Sequence, residues 1–164
     1  MDIQKKNYTI REGKATDVRS ILTLVKELAE YEKAPEEVIN TEEQMLKDGF
    51  GDNPIFSVLI AEDSTNKDVV GIALFYTAYS TWKGRMIYLD DIVVSRAHRR
   101  RGIGKILIEA LFKIASQQGA KMMRWQVLDW NQPAIEFYKT YGVKFDEGWI
   151  NCGIYEQQLS KFAD

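Results

Sequence analysis

Cysteine, histidine and proline are scarce in this chain of 164 residues: one Cys, one His and three Pro. The single Cys152 excludes an internal disulfide, and one Cys with one His excludes a Cys/His-rich metal centre. No metal is expected. Long apolar runs are lacking as well. The longest, Ile55–Ala61 and Val69–Tyr76, have strand length and fall far short of the ~20 apolar residues of a membrane-spanning helix. Met1–Tyr8 is polar and charged, without the apolar core of a signal peptide. These absences predict a cytoplasmic protein with no membrane partner. Excess positive charge is also missing. Lys and Arg number 22 against 24 Asp and Glu, a net charge of −2, which argues against a nucleic-acid partner.

What is present suits a single domain over residues 1–164. At 45% hydrophobic and 12% aromatic the chain can bury a sizeable core, and 28% charged residues give an ordinary solvated surface. The charge is unevenly placed. His98–Arg101 is basic, whereas Glu27–Glu43 is rich in acids. Such a split fits one site for an anion and another for a cation, and equally two solvated faces.

Periodicity sets the expected elements. Tyr8–Arg11 reads as a short strand. Val18, Ile21, Leu22, Val25, Leu28 and Ala29 recur at helical spacing behind Thr16 as N-cap. Pro35 interrupts that pattern. Thr41 and Gln44 match a capping box for a second helix, which Asp48-Gly49 is expected to stop. Ile55–Glu62, Val69–Ala78 and Met86–Val94 read as antiparallel strands joined by turns at Ser64–Asp68 and Trp82–Arg85. A helix over about Gly102–Gln118 carries the stripe Ile103, Ile106, Leu107, Ala110, Leu111 and Ile114, with Gly119 as its stop. Lys121–Val127 is read as a strand, Pro133 opens a short helix ending near Gly142, and Gly153–Leu159 is read as a last strand. The order predicts an α/β domain with a mixed, mostly antiparallel sheet flanked by helices.

The most informative segment runs from Ile92 to Gly104: a strand, a basic glycine-containing loop, then an amphipathic helix. Unpaired N–H groups and the dipole make a helix start favourable to an anion. Gly102 and Gly104 allow a diphosphate close to the backbone, and Arg99, Arg100 and Arg101 add charge. A Walker loop is excluded, because glycine is missing at Arg99 and Ser or Thr at Ile106. A dinucleotide fingerprint is excluded by Leu107 in place of its third glycine.

Arg99-x-x-Gly102-x-Gly104 resembles the signature of the Gcn5-related N-acetyltransferase (GNAT) superfamily, Arg/Gln-x-x-Gly-x-Gly/Ala. Asn131, Ala134 and Phe137-Tyr138 resemble that superfamily's second motif. Further stretches, among them Lys26–Lys33, Asp48–Pro54, Tyr79–Gly84, Ile87–Asp91 and Glu147–Trp149, resemble the diamine (spermidine/spermine) N-acetyltransferases and cover most of the chain. Ser80–Arg85 and Val127–Gln132 look most like the type-2 form, which prefers thialysine.

The resemblance implies acetyl-coenzyme A as co-substrate. Backbone groups of Arg99, Arg100, Arg101, Gly102, Ile103, Gly104 and Lys105 would hold its pyrophosphate. Ile92, Val93 and Val94 would lie along its pantetheine and acetyl groups, and Asn131 and Ala134 would contact the arm. Tyr138 would protonate the leaving thiolate. Asp90 stands where acidic members place the base that takes the amine's proton through water, although the diamine enzymes carry Glu there. Tyr31, Glu32, Asp90, Arg124, Trp125, Gln126 and Glu147 would meet a small cationic amine. Arg124 favours an amino acid over a polycation, since an arginine repels the latter and can pair with the carboxylate of the former. A homodimer is also implied. Competing readings are a spermidine/spermine N1-acetyltransferase proper, a protein or peptide acetyltransferase, and an acetyl-coenzyme-A-binding regulatory module without catalysis. His98 and Cys152 are read as a solvated side chain and as a small buried or rim residue.

Overall fold

A computed structural model describes residues 3–5 and 7–163. Residues up to Gln126 form one compact unit and residues from Val127 onward a second, each described separately below.

The first unit opens with β1 (Ile3–Lys5) and β2 (Tyr8–Glu12), followed by helices α1 (Val18–Tyr31) and α2 (Glu42–Phe50). Strands β3 (Ser57–Asp63), β4 (Val69–Ser80) and β5 (Gly84–Val94) come next, then α3 (Ile103–Gln117) and β6 (Met122–Arg124). Among the described residues these strands make one sheet whose spatial order is their chain order, β1 to β6. Every pairing is antiparallel except β5 with β6, which is parallel and crosses over through α3. This is the expected mixed sheet with a late parallel pairing.

Strand alternation assigns the two faces. Val58, Ile60, Ile72, Leu74 and Val93 join Val18, Ile21, Leu22 and Leu24 of α1 and Met45 of α2 in one core layer. On the other face α3 lies close over Gly71. A Cβ there would meet Leu107 at 3.3 Å and Ile103 at 3.4 Å, so glycine sets the helix-to-sheet approach. Ile103, Leu107, Ile108 and Leu111 of α3 are fully enclosed. Burial at about 25 cal/mol per Å² makes this sandwich the main source of stability.

Local sequence explains most boundaries and corrects several. Thr16 does not cap α1. The chain enters the helix through a 3-10 turn, Ala15–Asp17, because the Asp17 carboxylate is held by the Lys14 N–H (2.7 Å) and by Arg11 (2.7 and 2.9 Å). Arg11 also pairs with Glu62 at 2.8 Å, tying β2, β3 and the start of α1 together. Thr41 caps α2 by accepting the Gln44 N–H, but the Gln44 amide turns to Asp48, and Asn40 takes the Thr41 N–H. The box is therefore half made. Nor does Asp48-Gly49 end α2, which runs on to Phe50. Gly49 is small because the Phe56 ring lies 2.2 Å from where its Cβ would be. The strand read over Lys121–Val127 shrinks to three residues, and β1 was not foreseen.

In the second unit α4 (Gln132–Lys139) follows Asn131, and Gly142 takes φ 68° just beyond it. The strand expected over Gly153–Leu159 is instead the single helical turn α5 (Glu156–Leu159). Tyr155 is extended and caps it, and the polar run Glu156-Gln157-Gln158 favours a helix over a strand.

Candidate active site

The geometry begins with an irregularity in β5. Ala73 faces Ile92 and Leu74 faces Asp91, but Phe75 faces Leu89. Asp90 is the extra residue of a β-bulge, and a bulge turns consecutive side chains to one side. Asp91 stands in register with Leu74 on the α1 face. Asp90 acts electrostatically on Asp91, Tyr76 and Tyr88. Glu32, which ends α1, acts on Asp91 as well. Burial raises the pKa of Glu32 and of Asp90. Asp91 is raised furthest, to about 6, first by burial and then by Asp90 and Glu32. Asp91 under the influence of two further carboxylates suits a cation and a group that takes up a proton near neutrality.

Two tyrosines and the end of β6 complete this face. The rings of Tyr76 and Tyr88 stack at 5.2 Å, and the Tyr88 hydroxyl donates to Gln126 Oε1 at 3.2 Å. Arg124 is the register partner of Tyr88, and its charge acts on that phenol. Arg124 and Gln126 are thus brought to Tyr88. Trp125 is not: it packs against Phe112 of α3, 6.4 Å between ring centres, as alternation along the strand requires. Sequence reasoning omitted Tyr76, Tyr88 and Asp91. The signal available was the charged pair Asp90-Asp91 interrupting an otherwise apolar strand.

Beyond Tyr88 the β5–β6 ladder stops. No strand among the described residues therefore pairs with Leu89–Val94 on the β6 side, which leaves Ile92–Val94 without a ladder partner there.

The basic loop follows directly. Arg100 and Gly102 both take positive φ, 62° and 81°, and Gly102 stands as N-cap of α3 without a capping side chain. The amides of Ile103, Gly104 and Lys105 open the helix and have no intrahelical acceptor. A Cβ at Gly102 would meet nothing within 4 Å, and one at Gly104 only Val94 at 3.9 Å, so the helix end is open. This fits a diphosphate. Two of the three arginines are already employed within the protein. Arg99 donates to the Val94 carbonyl (3.1 Å) and reaches Glu27, while its guanidinium lies 5.1 Å from the Tyr31 ring centre. Arg101 contacts the Tyr8 hydroxyl and the Ala97 carbonyl. His98 is half-buried between Ser95 Oγ (2.8 Å) and the edge of Tyr8, so it belongs to the loop's framework and is not simply solvated.

In the second unit Asn131 caps α4, its carbonyl groups accepting the Ala134 N–H. Tyr138 is buried, 5% exposed, and its ring meets that of Phe137. Glu147 is exposed. Cys152 is exposed as well, not buried. Among the described residues no group of three or more His, Cys, Asp or Glu is arranged to hold a metal, and no helix is long and apolar enough to cross a membrane.

Residues 18–143 match the acetyltransferase (GNAT) family. The thialysine N-epsilon-acetyltransferase of Bos taurus is 43% identical over 161 residues, covering 93% of this chain and 94% of the relative. The human spermidine/spermine N(1)-acetyltransferase-like protein 1 is 37% identical over 150 residues, 87% of this chain and 22% of that longer protein. Among solved structures, an integron cassette protein from the mobile metagenome of V. cholerae superposes with TM-score 0.76 at 20% identity, over 96% of this chain and 98% of its own.

Proposed function

Because the chain belongs to the GNAT family of N-acetyltransferases, we propose that it moves an acetyl group from acetyl-coenzyme A to the primary amine of a small cation of the thialysine or lysine type. The observation that carries this choice is Arg124 beside Tyr88, on the face that also holds Glu32, Asp90 and Asp91. Carboxylates suit the reacting ammonium end. A guanidinium on the same sheet face suits a substrate that also bears a carboxylate. A diamine or polyamine acceptor is the second reading, supported by the spermidine/spermine-type relative.

The coenzyme supplies an activated acetyl thioester. The amides opening α3 and the loop from Arg99 to Lys105 would hold its pyrophosphate. The unpaired edge at Ile92–Val94 would offer N–H groups to the carbonyl oxygen as negative charge develops. An alkylammonium with a pKa near ~10 must first lose a proton, which falls to Asp90 at the bulge with Asp91 beside it. By correspondence with the family's second motif, Asn131 and Ala134 would serve the pantetheine arm and Tyr138 would protonate the departing sulfur; by the diamine-enzyme pattern, Tyr31, Glu32 and Glu147 would each take part in amine recognition. The exposed apolar residues Trp149, Ile150, Ile154 and Phe162 support a homodimer. The lone thiol of Cys152 suits a reducing cytoplasm.

Thiol release from acetyl-coenzyme A, followed against thialysine, lysine, spermidine, spermine and a lysine-rich peptide, tests the reading. Thialysine or lysine is expected to be fastest. Arg124→Ala should raise KM for these and leave spermidine unchanged, and Tyr138→Phe should lower kcat for every acceptor. A wild-type preference for spermidine, insensitive to Arg124→Ala, would refute the amino-acid assignment.

A further inference from the structure

Glu27 sits where simple electrostatics would not put it. Its carboxylate faces the loop that this reading assigns to an anion, and is three-quarters buried there. Oε1 accepts the backbone N–H of Arg96 at 2.5 Å and lies 3.5 Å from Arg99 Nη2. One turn on, at i+4 on the same helix face, Tyr31 offers its ring to the same guanidinium. Arg99 is fixed from a third direction by the Val94 carbonyl. The last turns of α1 therefore grip the loop at both Arg96 and Arg99, just before the two residues with positive φ, Arg100 and Gly102. Positive φ is unfavourable for Arg100 and persists only where surrounding contacts impose it.

We propose that Glu27 is a positioning residue which holds the Ser95–Gly102 loop in its anion-binding shape, so that coenzyme affinity depends on a carboxylate that touches no coenzyme. The proposal rests on the acetyltransferase reading of the loop. It predicts a sign opposite to that of bare charge. Removing a carboxylate beside a bound pyrophosphate should tighten binding if Glu27 contributes only its field. If it orders the loop, removal should weaken binding.

The test uses calorimetric affinity for coenzyme A together with steady-state kinetics. Glu27→Ala should weaken coenzyme A binding and raise KM for acetyl-coenzyme A about tenfold, the scale of one lost charge-assisted hydrogen bond. Its kcat and its KM for the amine should stay near wild type. Glu27→Gln keeps an acceptor for the Arg96 N–H and should recover most of the affinity. Glu30→Ala, an exposed acid on the same helix, should change nothing. Equal or tighter coenzyme binding in Glu27→Ala overturns the proposal, as does equal weakening in Glu27→Gln and Glu30→Ala. Wild-type protein that binds no coenzyme A overturns the acetyltransferase reading itself, a result distinct from either.

Discussion

Replacing Asp91 by asparagine should make the protein more stable and less active. The folded chain raises this carboxyl from its ordinary 3.8 to about 6, through burial first and then through Asp90 and Glu32. Between about pH 4 and 6 the folded state holds a proton that the unfolded state has released. Folding then takes up a proton, and stability falls as pH rises through that window. Above the folded pKa the whole penalty is present. A shift of about two units at 1.36 kcal/mol each makes it ~3 kcal/mol at pH 7. Asparagine carries no charge at any of these pH values. Urea unfolding at pH 7 should therefore show Asp91→Asn more stable than wild type by about 1–3 kcal/mol, the lower bound allowing for an imperfectly satisfied amide. At pH 4 the gap should close. Acetyl transfer at pH 7 should drop under the proposed mechanism, since Asp91 is the charged neighbour of Asp90, the proposed base. An Asp91→Asn protein no more stable at pH 7, with the wild-type pH dependence intact, would refute the placement of Asp91 among like charges.

Two further outcomes follow from other parts of the first unit. Asp17 is a carboxyl that burial would raise but that Arg11 and the Lys14 N–H hold below its ordinary range. Its contribution is present above the unfolded value and is lost as pH falls through the folded one, so Asp17→Asn should cost about 3 kcal/mol at pH 7 and progressively less in acid; a loss under about 1 kcal/mol by urea unfolding would contradict the network. Gly102→Ala meets no steric obstacle but must adopt φ 81°. It should lower stability by about 1 kcal/mol in a thermal melt and weaken coenzyme A binding measurably, whereas unchanged affinity would remove the loop's shape from the account.

Much of this was legible in the residues, for identifiable reasons. The three central strands and α3 carry clean periods, and a buried face imposes them. The loop from Arg99 to Gly104 is written in residue types with few other uses, and Gly102, Gly119 and Gly142 do take positive φ as punctuation. What alternation could not show was the bulge. It is a property of two strands together, and without it Asp90 and Asp91 fall on opposite faces. For the same reason Trp125 could not be separated from Arg124 before the β5–β6 register was known. Gly49 looked like a stop signal, and only the position of Phe56 reveals it as a packing requirement. The last turn, Glu156–Leu159, rests on weak local preference over too few residues to announce itself.

The agreement between strand order and chain order bears on how the molecule comes to be assembled. The β3–β4 and β4–β5 ladders are hairpins, so each new strand finds its neighbour waiting as synthesis proceeds. Short-range pairing of this kind lowers the entropic cost of closure and speeds folding. The chain must reach past α1 and α2 before β3 can join β2, and the crossover through α3 asks the same before β6 can add to the sheet. The basic loop lies inside that crossover. The segment proposed to hold the coenzyme is thus laid onto an edge already built, and residues there can change with less risk to the early steps than those of the meander beneath.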